Sequence, residues 1–249
     1  MALTIFGVPG LPEIEAGSDL AEMIATAAAA DGNPLADGDV VCITSKVVSK
    51  AEGRTVDLNT VEVSPFVQQY AEKWEKDPRA IELVFQEARR VVRQVGPVLI
   101  TETKHGFICA NSGVDQSSSG GHDRAVLLPI DPDGSARRFR QRFKELGVDV
   151  AVIVTDTFGR PWREAQTDIA IGIAGMDPVI SYIGQVDPHG HEFRVQAICV
   201  ADELAAAAEL VKGNVSRVPV GVVRGLQWTP DEQATMQSII RDSQNDLFR

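Results

Sequence analysis

VAVIVTDTFGRPWREAQTD, residues 150–168, is the stretch of this sequence that decides the fold. Its first five residues are aliphatic without polar alternation, which is typical of a strand that is buried on both faces. Thr155, Asp156 and Thr157 follow directly. We therefore predict a central strand, Val150–Thr155, that ends in hydroxyl and carboxylate groups.

Helical and strand-like patterns on either side of this strand are interspersed without strict alternation. This arrangement favours the α+β class, with mixed sheets and flanking helices, over a regular parallel α/β sheet. Helices are predicted at Asp19–Ala30, over Phe66–Val95 as two helices broken at Asp77-Pro78, at Ala136–Leu146 with Ser135 as N-cap, and at Ala201–Lys212. Further strands are predicted at Val40–Thr44, Pro97–Thr101, Gly106–Asn111, Ala125–Pro129, Ile169–Ala174, Val179–Ile183, Phe193–Val200 and Arg217–Val223.

Length and composition limit the class of protein. The 249 residues fit one domain, 1–249, which leaves open two intertwined subdomains, with polar residues 227–249 at its periphery. No apolar run is long enough to span a bilayer, and the N-terminus lacks the features of a signal peptide. Cys42, Cys109 and Cys199 lie apart in apolar runs, which indicates buried thiols and a cytoplasmic protein.

The formal net charge of −11 disfavours nucleic acids and anionic membranes as partners. The same charge would repel a phosphorylated substrate. An enzyme with such a substrate would need metal ions and a few concentrated basic side chains.

Asp156 is the first candidate for chemistry. A carboxylate at the end of a buried strand is costly to desolvate without a partner, and a metal ion is one such partner. Thr157 would add a second oxygen, and Arg160 and Arg163 are candidates for contacts with phosphate or substrate. The alternative is that Asp156 caps a helix, but packing alone does not explain the whole combination.

Three further stretches have a functional and a purely structural interpretation. Residues 10–14, GLPEI, form either a simple turn or a turn whose backbone N–H groups meet a nucleotide. Residues 44–54, TSKVVSKAEGR, form either a solvated basic turn or a hydroxyl-rich loop for phosphate. In residues 111–121, Asp115 either closes an Asx turn or offers an oxygen to a divalent cation. The pair His189 and His191 follows Asp187-Pro188 and indicates an exposed turn more than a zinc site.

These stretches resemble, together and in order, the F420-0:gamma-glutamyl ligase family, also called coenzyme F420:L-glutamate ligase. The resemblance spans residues 10 to 225. The matching phrases are GLPEI, ITSKVVSKAEGR, NSGVDQSS, LLPIDPDGSA, VTDTFGRPWREAQTDIAIGIAG, DPHGHE, VADELAAAAELVKG and PVGVVRG.

The resemblance implies a GTP-dependent ligase of coenzyme F420 biosynthesis. GTP would phosphorylate the carboxylate of F420-0, and the amine of L-glutamate would attack the acyl phosphate; further γ-linked glutamates are left open. The family pattern also implies two divalent cations per subunit, Mg²⁺ or Mn²⁺, a potassium ion, and a homodimer.

The resemblance also implies roles for individual residues. Leu11, Pro12, Glu13 and Ile14 match an N-terminal GTP-binding turn, Ser45 and Lys50 match further GTP contacts, Asp115 and Asp156 match ligands of one divalent cation, and Thr157 matches a ligand of the second. Two positions depart from the pattern. Ser118 stands where the family often has an asparagine that contacts GTP, and Asn214 stands where some members have a metal-binding glutamate.

Three questions stay open at the level of sequence. The end of the chain, QNDLFR, resembles the junction at which actinobacterial relatives continue into a flavin-binding domain, so either a stand-alone protein or part of a longer one fits. The acceptor is either F420-0 or its dehydro precursor. The rival functions are a GTP-dependent ligase for another carboxylate and a non-catalytic nucleotide-binding module.

Overall fold

A computed structural model describes residues 2–117, 121, 123–213 and 215–246. The α-helices are α1 Leu20–Ala30, α2 Ser45–Ala51, α3 Pro65–Trp74, α4 Pro78–Glu87, α5 Pro132–Glu145 and α6 Val200–Lys212. The strands are β1 Thr4–Gly7, β2 Val40–Thr44, β3 Thr55–Asp57, β4 Ala88–Val95, β5 Val98–Thr103, β6 Ile108–Ala110, β7 Arg124–Val126, β8 Ala151–Arg160, β9 Arg163–Met176, β10 Val179–Ser181, β11 Ala197–Cys199, β12 Val220–Arg224 and β13 Pro230–Asp231.

The central sheet has the strand order β1-β12-β2-β8-β9-β13 within the described residues. β2 and β8 are parallel, whereas the other neighbouring pairs are antiparallel. Small antiparallel sheets are formed by β4-β5-β6, by β3-β7 and by β10-β11. These mixed sheets with flanking helices confirm the predicted α+β class.

Two helices cover opposite faces of the central sheet. A Cβ on Gly172 of β9 would lie 2.3 Å from the Pro132 carbonyl oxygen of α5, and one on Gly221 of β12 would lie 2.9 Å from Ala208 Cβ of α6. The cross-strand register places these two glycines on opposite faces of the central sheet, so α5 and α6 pack on opposite sides of it. The sheet is therefore enclosed, which explains why the β8 residues Ala151–Val154 are fully buried and uniformly apolar.

Two of the predicted helices need correction. The helical pattern over Phe66–Val95 ends at Glu87, because Ala88–Val95 turns back at Gly96, which has a φ of +56°, and pairs with β5. Tertiary pairing here overrides a local helical preference. The predicted helix Ala136–Leu146 begins earlier, at Pro132. Its N-cap is Asp131 rather than Ser135, and the Asp131 carboxylate accepts the Gly134 N–H at 2.9 Å.

The predicted strand end at Thr155 and the predicted turn or loop after β2 are also wrong. β8 continues through Asp156 to Arg160, because β9 pairs with it along the whole extension, with Asp156 opposite Ile169. The basic stretch after Thr44 is not a loop but begins as helix α2, Ser45–Ala51.

The segment after Gln227 is anchored to the sheet. β13 pairs with β9, and Met236 is fully buried against the core. The carboxylate of Asp133 accepts the backbone N–H groups of both Ile173 and Met236, which ties this segment to β9. Among the described residues, no helix has the length and apolar character that crossing a bilayer requires.

Candidate functional site

A cavity of about 660 Å³ lies beside the extension of β8. It is bounded by the N-terminal turn, by α2, by the end of α6 and by the segment before β12. The described residues that line it are Leu11, Pro12, Glu13, Ile14, Thr44, Lys46, Val47, Lys50, Thr157, Glu209, Lys212, Gly213, Arg217, Val218 and Pro219. The predicted GTP-binding turn, Lys50 and Thr157 therefore meet at one cavity, although Thr157 follows Lys50 by more than 100 residues of chain.

The N-terminal turn and α2 form one wall of the cavity. Lys46 and Lys50 are one helical turn apart, so both ammonium groups reach the same side. Lys50 Nζ lies 2.5 Å from Glu13 Oε1, and this contact holds the pKa of Glu13 below its usual value, with a further contribution from Arg217. The Gly17 N–H donates to the Ala51 carbonyl at 2.8 Å, which fixes the turn against the helix.

Asp156 lies behind this wall and is half-buried. Its Oδ1 accepts the Ser45 hydroxyl at 2.7 Å. Burial, together with the negative charges of Asp168 and Asp115, raises the pKa of Asp156 to about 6, although the Ser45 hydrogen bond opposes the shift. Among the described residues Asp156 has no ion-pair partner, so its charge is compensated only by hydrogen bonds.

Asp115 reaches the same region from the segment before β7. Lys46 Nζ lies 2.5 Å from Asp115 Oδ2 and also donates to the Ser117 hydroxyl at 3.1 Å. The Ser117 N–H donates to Asp115 Oδ1 at 2.6 Å, which closes the Asx turn that was one of the two alternatives for this loop. Burial alone would raise the pKa of Asp115, but these donors hold it below its usual value. Ser118, the predicted GTP contact in this loop, lies outside the described residues.

A buried ionic cluster joins Thr157 to the end of α6. Lys212 Nζ lies 2.6 Å from Asp168 Oδ2, and both side chains are only 2% exposed. Asp168 Oδ2 also accepts the Thr155 hydroxyl at 3.0 Å, and Asp168 Oδ1 accepts the Thr157 hydroxyl at 2.7 Å. Lys212 donates a second hydrogen bond, of 2.8 Å, to Thr155 Oγ1. Glu209 borders this cluster, with its Oε2 3.5 Å from Lys212 Nζ.

Sequence reasoning missed Asp168 and Lys212 as members of the site. One signal was available, because Lys212 continues the buried stripe of α6, where a charged residue requires a buried partner. The buried residues of that stripe are Val200, Ala201, Leu204, Ala205, Ala208 and Lys212. The partner could not be named from sequence, since Asp168 is placed by the β8–β9 register opposite Thr157.

The donors in this region suit a hard divalent cation. Asp115, Asp156 and Thr157 offer carboxylate and hydroxyl oxygens, the ligand type that Mg²⁺ and Mn²⁺ prefer. In the described part of the chain, no group of three or more His, Cys, Asp or Glu side chains converges as a metal site. A cation held by two carboxylates and completed by water and phosphate oxygens fits these donors, because Mg²⁺ usually binds in this way. Asn214, the other position at which the family pattern places a ligand, lies outside the described residues.

The arginines chosen from sequence lie away from the cavity. Arg160 and Arg163 face each other across the tip of the β8–β9 hairpin, and neither is among the described lining residues. Arg217, which sequence reasoning did not select, lines the cavity and has a backbone φ of +58°. His189 and His191 lie in an exposed turn, where both backbone N–H groups donate to Asp187 Oδ1.

Comparisons with known proteins identify the family of this chain. The F420-0:Gamma-glutamyl ligase family model matches residues 10–225. The chain is 38% identical, over all of both sequences, to a coenzyme F420:L-glutamate ligase from Methanothermobacter thermautotrophicus. It is 43% identical to proteins of the same name from Methanopyrus kandleri, over 99% of this chain and 98% of the relative, and from Halobacterium salinarum, over 90% and 87%. The predicted family is thereby confirmed, and this chain belongs to the F420-0:gamma-glutamyl ligase family.

Proposed function

We propose that this protein is a ligase that joins L-glutamate to coenzyme F420-0 and uses GTP to activate the acceptor carboxylate. The names of its full-length relatives support the acceptor and the amino acid. The family pattern supports GTP, two divalent cations (Mg²⁺ or Mn²⁺) per subunit, K⁺ and a homodimer, and the unpaired cysteines support a cytoplasmic location.

The distribution of charge around the cavity is the observation that carries this proposal. The protein has a formal net charge of −11, yet Lys46, Lys50 and Arg217 line one cavity, beside Lys212, whose charge is already neutralised by the buried Asp168. Glu13 and Glu209 are the acidic residues among its described lining. Such a local excess of cations suits a polyphosphate, whereas the rest of the surface would repel it.

The proposed reaction has two steps. A carboxylate oxygen of the acceptor bonds to the γ-phosphorus of GTP, the bond from that phosphorus to the β–γ bridging oxygen breaks, and GDP leaves. The amine of L-glutamate then attacks the carbonyl carbon of the acyl phosphate. The carbon–oxygen bond to phosphate breaks, inorganic phosphate leaves, and the nitrogen loses a proton to give the amide.

The residues of the site divide this work. The turn Leu11–Ile14 and α2, with Ser45 and Lys50, would hold the nucleotide, and Ser118 would add a further contact. Asp115 and Asp156 would hold one divalent cation, and Thr157 would ligate the second; the cations would neutralise charge on the phosphate oxygens.

A role for Arg160 and Arg163 in phosphate or substrate contact remains a prediction from sequence alone. Their place at the tip of the β8–β9 hairpin, outside the described lining of the cavity, disfavours a contact with a nucleotide in that cavity. Arg217 is the stronger candidate for a phosphate contact in the cavity itself.

Mass spectrometry tests the proposal directly. The protein is incubated with F420-0, GTP, L-glutamate and Mn²⁺, and we expect products heavier by one or more glutamyl units together with GDP. Parallel reactions with dehydro-F420-0 and with other carboxylate acceptors define the acceptor. GTP binding without any glutamyl product from these acceptors would contradict a ligase and favour a non-catalytic nucleotide-binding module.

A further inference from the structure

We propose that the buried Lys212–Asp168 ion pair is a positioning device that makes Thr157 a ligand for a cation instead of a hydrogen-bond donor to phosphate. The inference deepens the proposed function and rests on it. Lys212 and Asp168 act through Thr157, so neither is proposed to touch the reacting atoms.

The hydrogen bonds of the cluster account for both oxygens of Asp168. Oδ2 receives the Lys212 ammonium at 2.6 Å and the Thr155 hydroxyl at 3.0 Å, and Oδ1 receives the Thr157 hydroxyl at 2.7 Å. The carboxylate points away from solvent, since only 2% of its surface is exposed. Asp168 is thus saturated by internal donors and is unsuited to bind a cation from the cavity itself.

The proton of the Thr157 hydroxyl decides what that side chain can do. A threonine hydroxyl has one proton and two lone pairs, and it can either donate to a phosphate oxygen or ligate a cation. In this structure Asp168 holds the proton on the inner side, whereas Thr157 lines the cavity. Only lone pairs remain for the cavity, so Thr157 is set to bind a cation.

Lys212 determines which way the acceptor at position 168 is turned. Its ammonium requires an acceptor oxygen and repels an N–H donor. In an Asp168→Asn variant, the carbonyl oxygen would therefore face Lys212 and Thr155, and the NH₂ group would face Thr157. That NH₂ group would donate to the Thr157 oxygen and turn its proton toward the cavity. Replacement of one buried oxygen of Asp168 by NH₂ would thus convert Thr157 from a cation ligand into a hydrogen-bond donor toward the cavity.

Mn²⁺ binding provides the test, because it is independent of the acceptor and of turnover. Free Mn²⁺ is measured by electron paramagnetic resonance during titration of the purified protein, with Mn²⁺ alone and with a non-hydrolysable GTP analogue. We expect Thr157→Val and Asp168→Asn each to raise the apparent Kd for Mn²⁺ about tenfold or more. Thr157→Ser, which keeps the hydroxyl, should stay close to the unmodified protein.

Thr155→Val is the matched control. It removes a hydroxyl from the same strand and from the same carboxylate, but Thr155 is fully buried and is not among the described lining residues of the cavity. We expect its Kd for Mn²⁺ to change less than threefold. Unchanged Mn²⁺ binding in Thr157→Val, or equal losses in Thr155→Val and Thr157→Val, would overturn the proposal.

The same variants separate this inference from the proposed ligase activity. If the unmodified protein adds no glutamate but the Mn²⁺ pattern holds, the positioning role stands and the proposed function fails. If glutamate is added but Asp168→Asn binds Mn²⁺ as the unmodified protein does, the positioning role fails alone. Near-ultraviolet circular dichroism identifies any variant that does not fold, and Thr157→Ser then still provides a folded comparison with Thr157→Val.

Discussion

Lys212→Met breaks the most deeply buried ion pair among the described residues, and we expect a large loss of stability. The variant leaves the Asp168 carboxylate without its cation, although only 2% of that side chain is exposed. Removing one member of a buried pair typically costs about 3–5 kcal/mol. Because Thr155 and Thr157 still donate hydrogen bonds to the carboxylate, we expect the loss of stability to be at the lower end of this range, about 3 kcal/mol.

Urea denaturation, monitored by circular dichroism, measures this loss in the free energy of unfolding. For a chain of this size, about 3 kcal/mol corresponds to a fall in Tm of roughly 6–12 °C. Lys46→Met is a matched control, because it makes the same substitution in a pair whose side chains are 27% and 38% exposed. We expect this control to lose about 1 kcal/mol or less.

A second substitution distinguishes the buried charge from lost packing. Adding Asp168→Asn to Lys212→Met removes the uncompensated carboxylate, so we expect the double variant to recover roughly half of the loss. Two results would refute the reasoning. The first is that Lys212→Met is no less stable than Lys46→Met, and the second is that the double variant is less stable than Lys212→Met alone.

Four further predictions concern the metal site, the nucleotide site, the phosphate contacts and pH. Asp156→Asn should abolish glutamate addition without changing the circular dichroism spectrum, and wild-type turnover would remove Asp156 from the metal site. Lys50→Ala should weaken GTP binding about tenfold by calorimetry, as expected for loss of one charge-assisted contact. Arg217→Ala should likewise raise the KM for GTP, whereas Arg163→Ala should leave it unchanged; the reverse result would favour the hairpin arginines. Glu232→Gln should destabilise the protein at pH 7, because two cationic side chains of α5 hold the pKa of Glu232 at about 2. Since the pKa in an unfolded chain is about 4.3, that deficit should shrink as pH falls below about 4 and vanish near pH 2.

Several elements of the fold could be predicted from sequence because their signals are local. The predicted helix Asp19–Ala30 corresponds to α1, in which Asp19 is the N-cap and its carboxylate accepts the Glu22 N–H, and the alanine-rich pattern of α6 gave its extent to within a residue. The uniformly apolar run at Val150–Val154 indicated a strand covered on both faces, and the structure places it inside the central sheet.

Other elements depended on partners that are distant in sequence. The stretch Ala88–Val95 forms a strand because β5 follows it, and β8 continues beyond Thr155 because β9 supplies hydrogen bonds along its length. Periodicity within a window reports which face of a segment is apolar. It does not report whether another strand is available to pair with that segment, so the predicted boundaries failed at these places.

The candidate site was likewise predictable from sequence only in part. The family pattern selected Lys50, Glu13 and Thr157 from the sequence, and the structure brings all of them to one cavity. By contrast, Arg160 and Arg163 are not among the described residues that line this cavity.

The sequence by itself determined the fold class, the family and the residue types suited to metal and phosphate, since these depend on composition, local pattern and ordered motifs. The tertiary structure alone decided which charges compensate each other. Lys212 and Asp168 are 44 residues apart, and only the register of β8 with β9 and the packing of α6 bring them within 2.6 Å. Electrostatic interactions depend on distance and burial, and neither quantity can be calculated from separation along the chain.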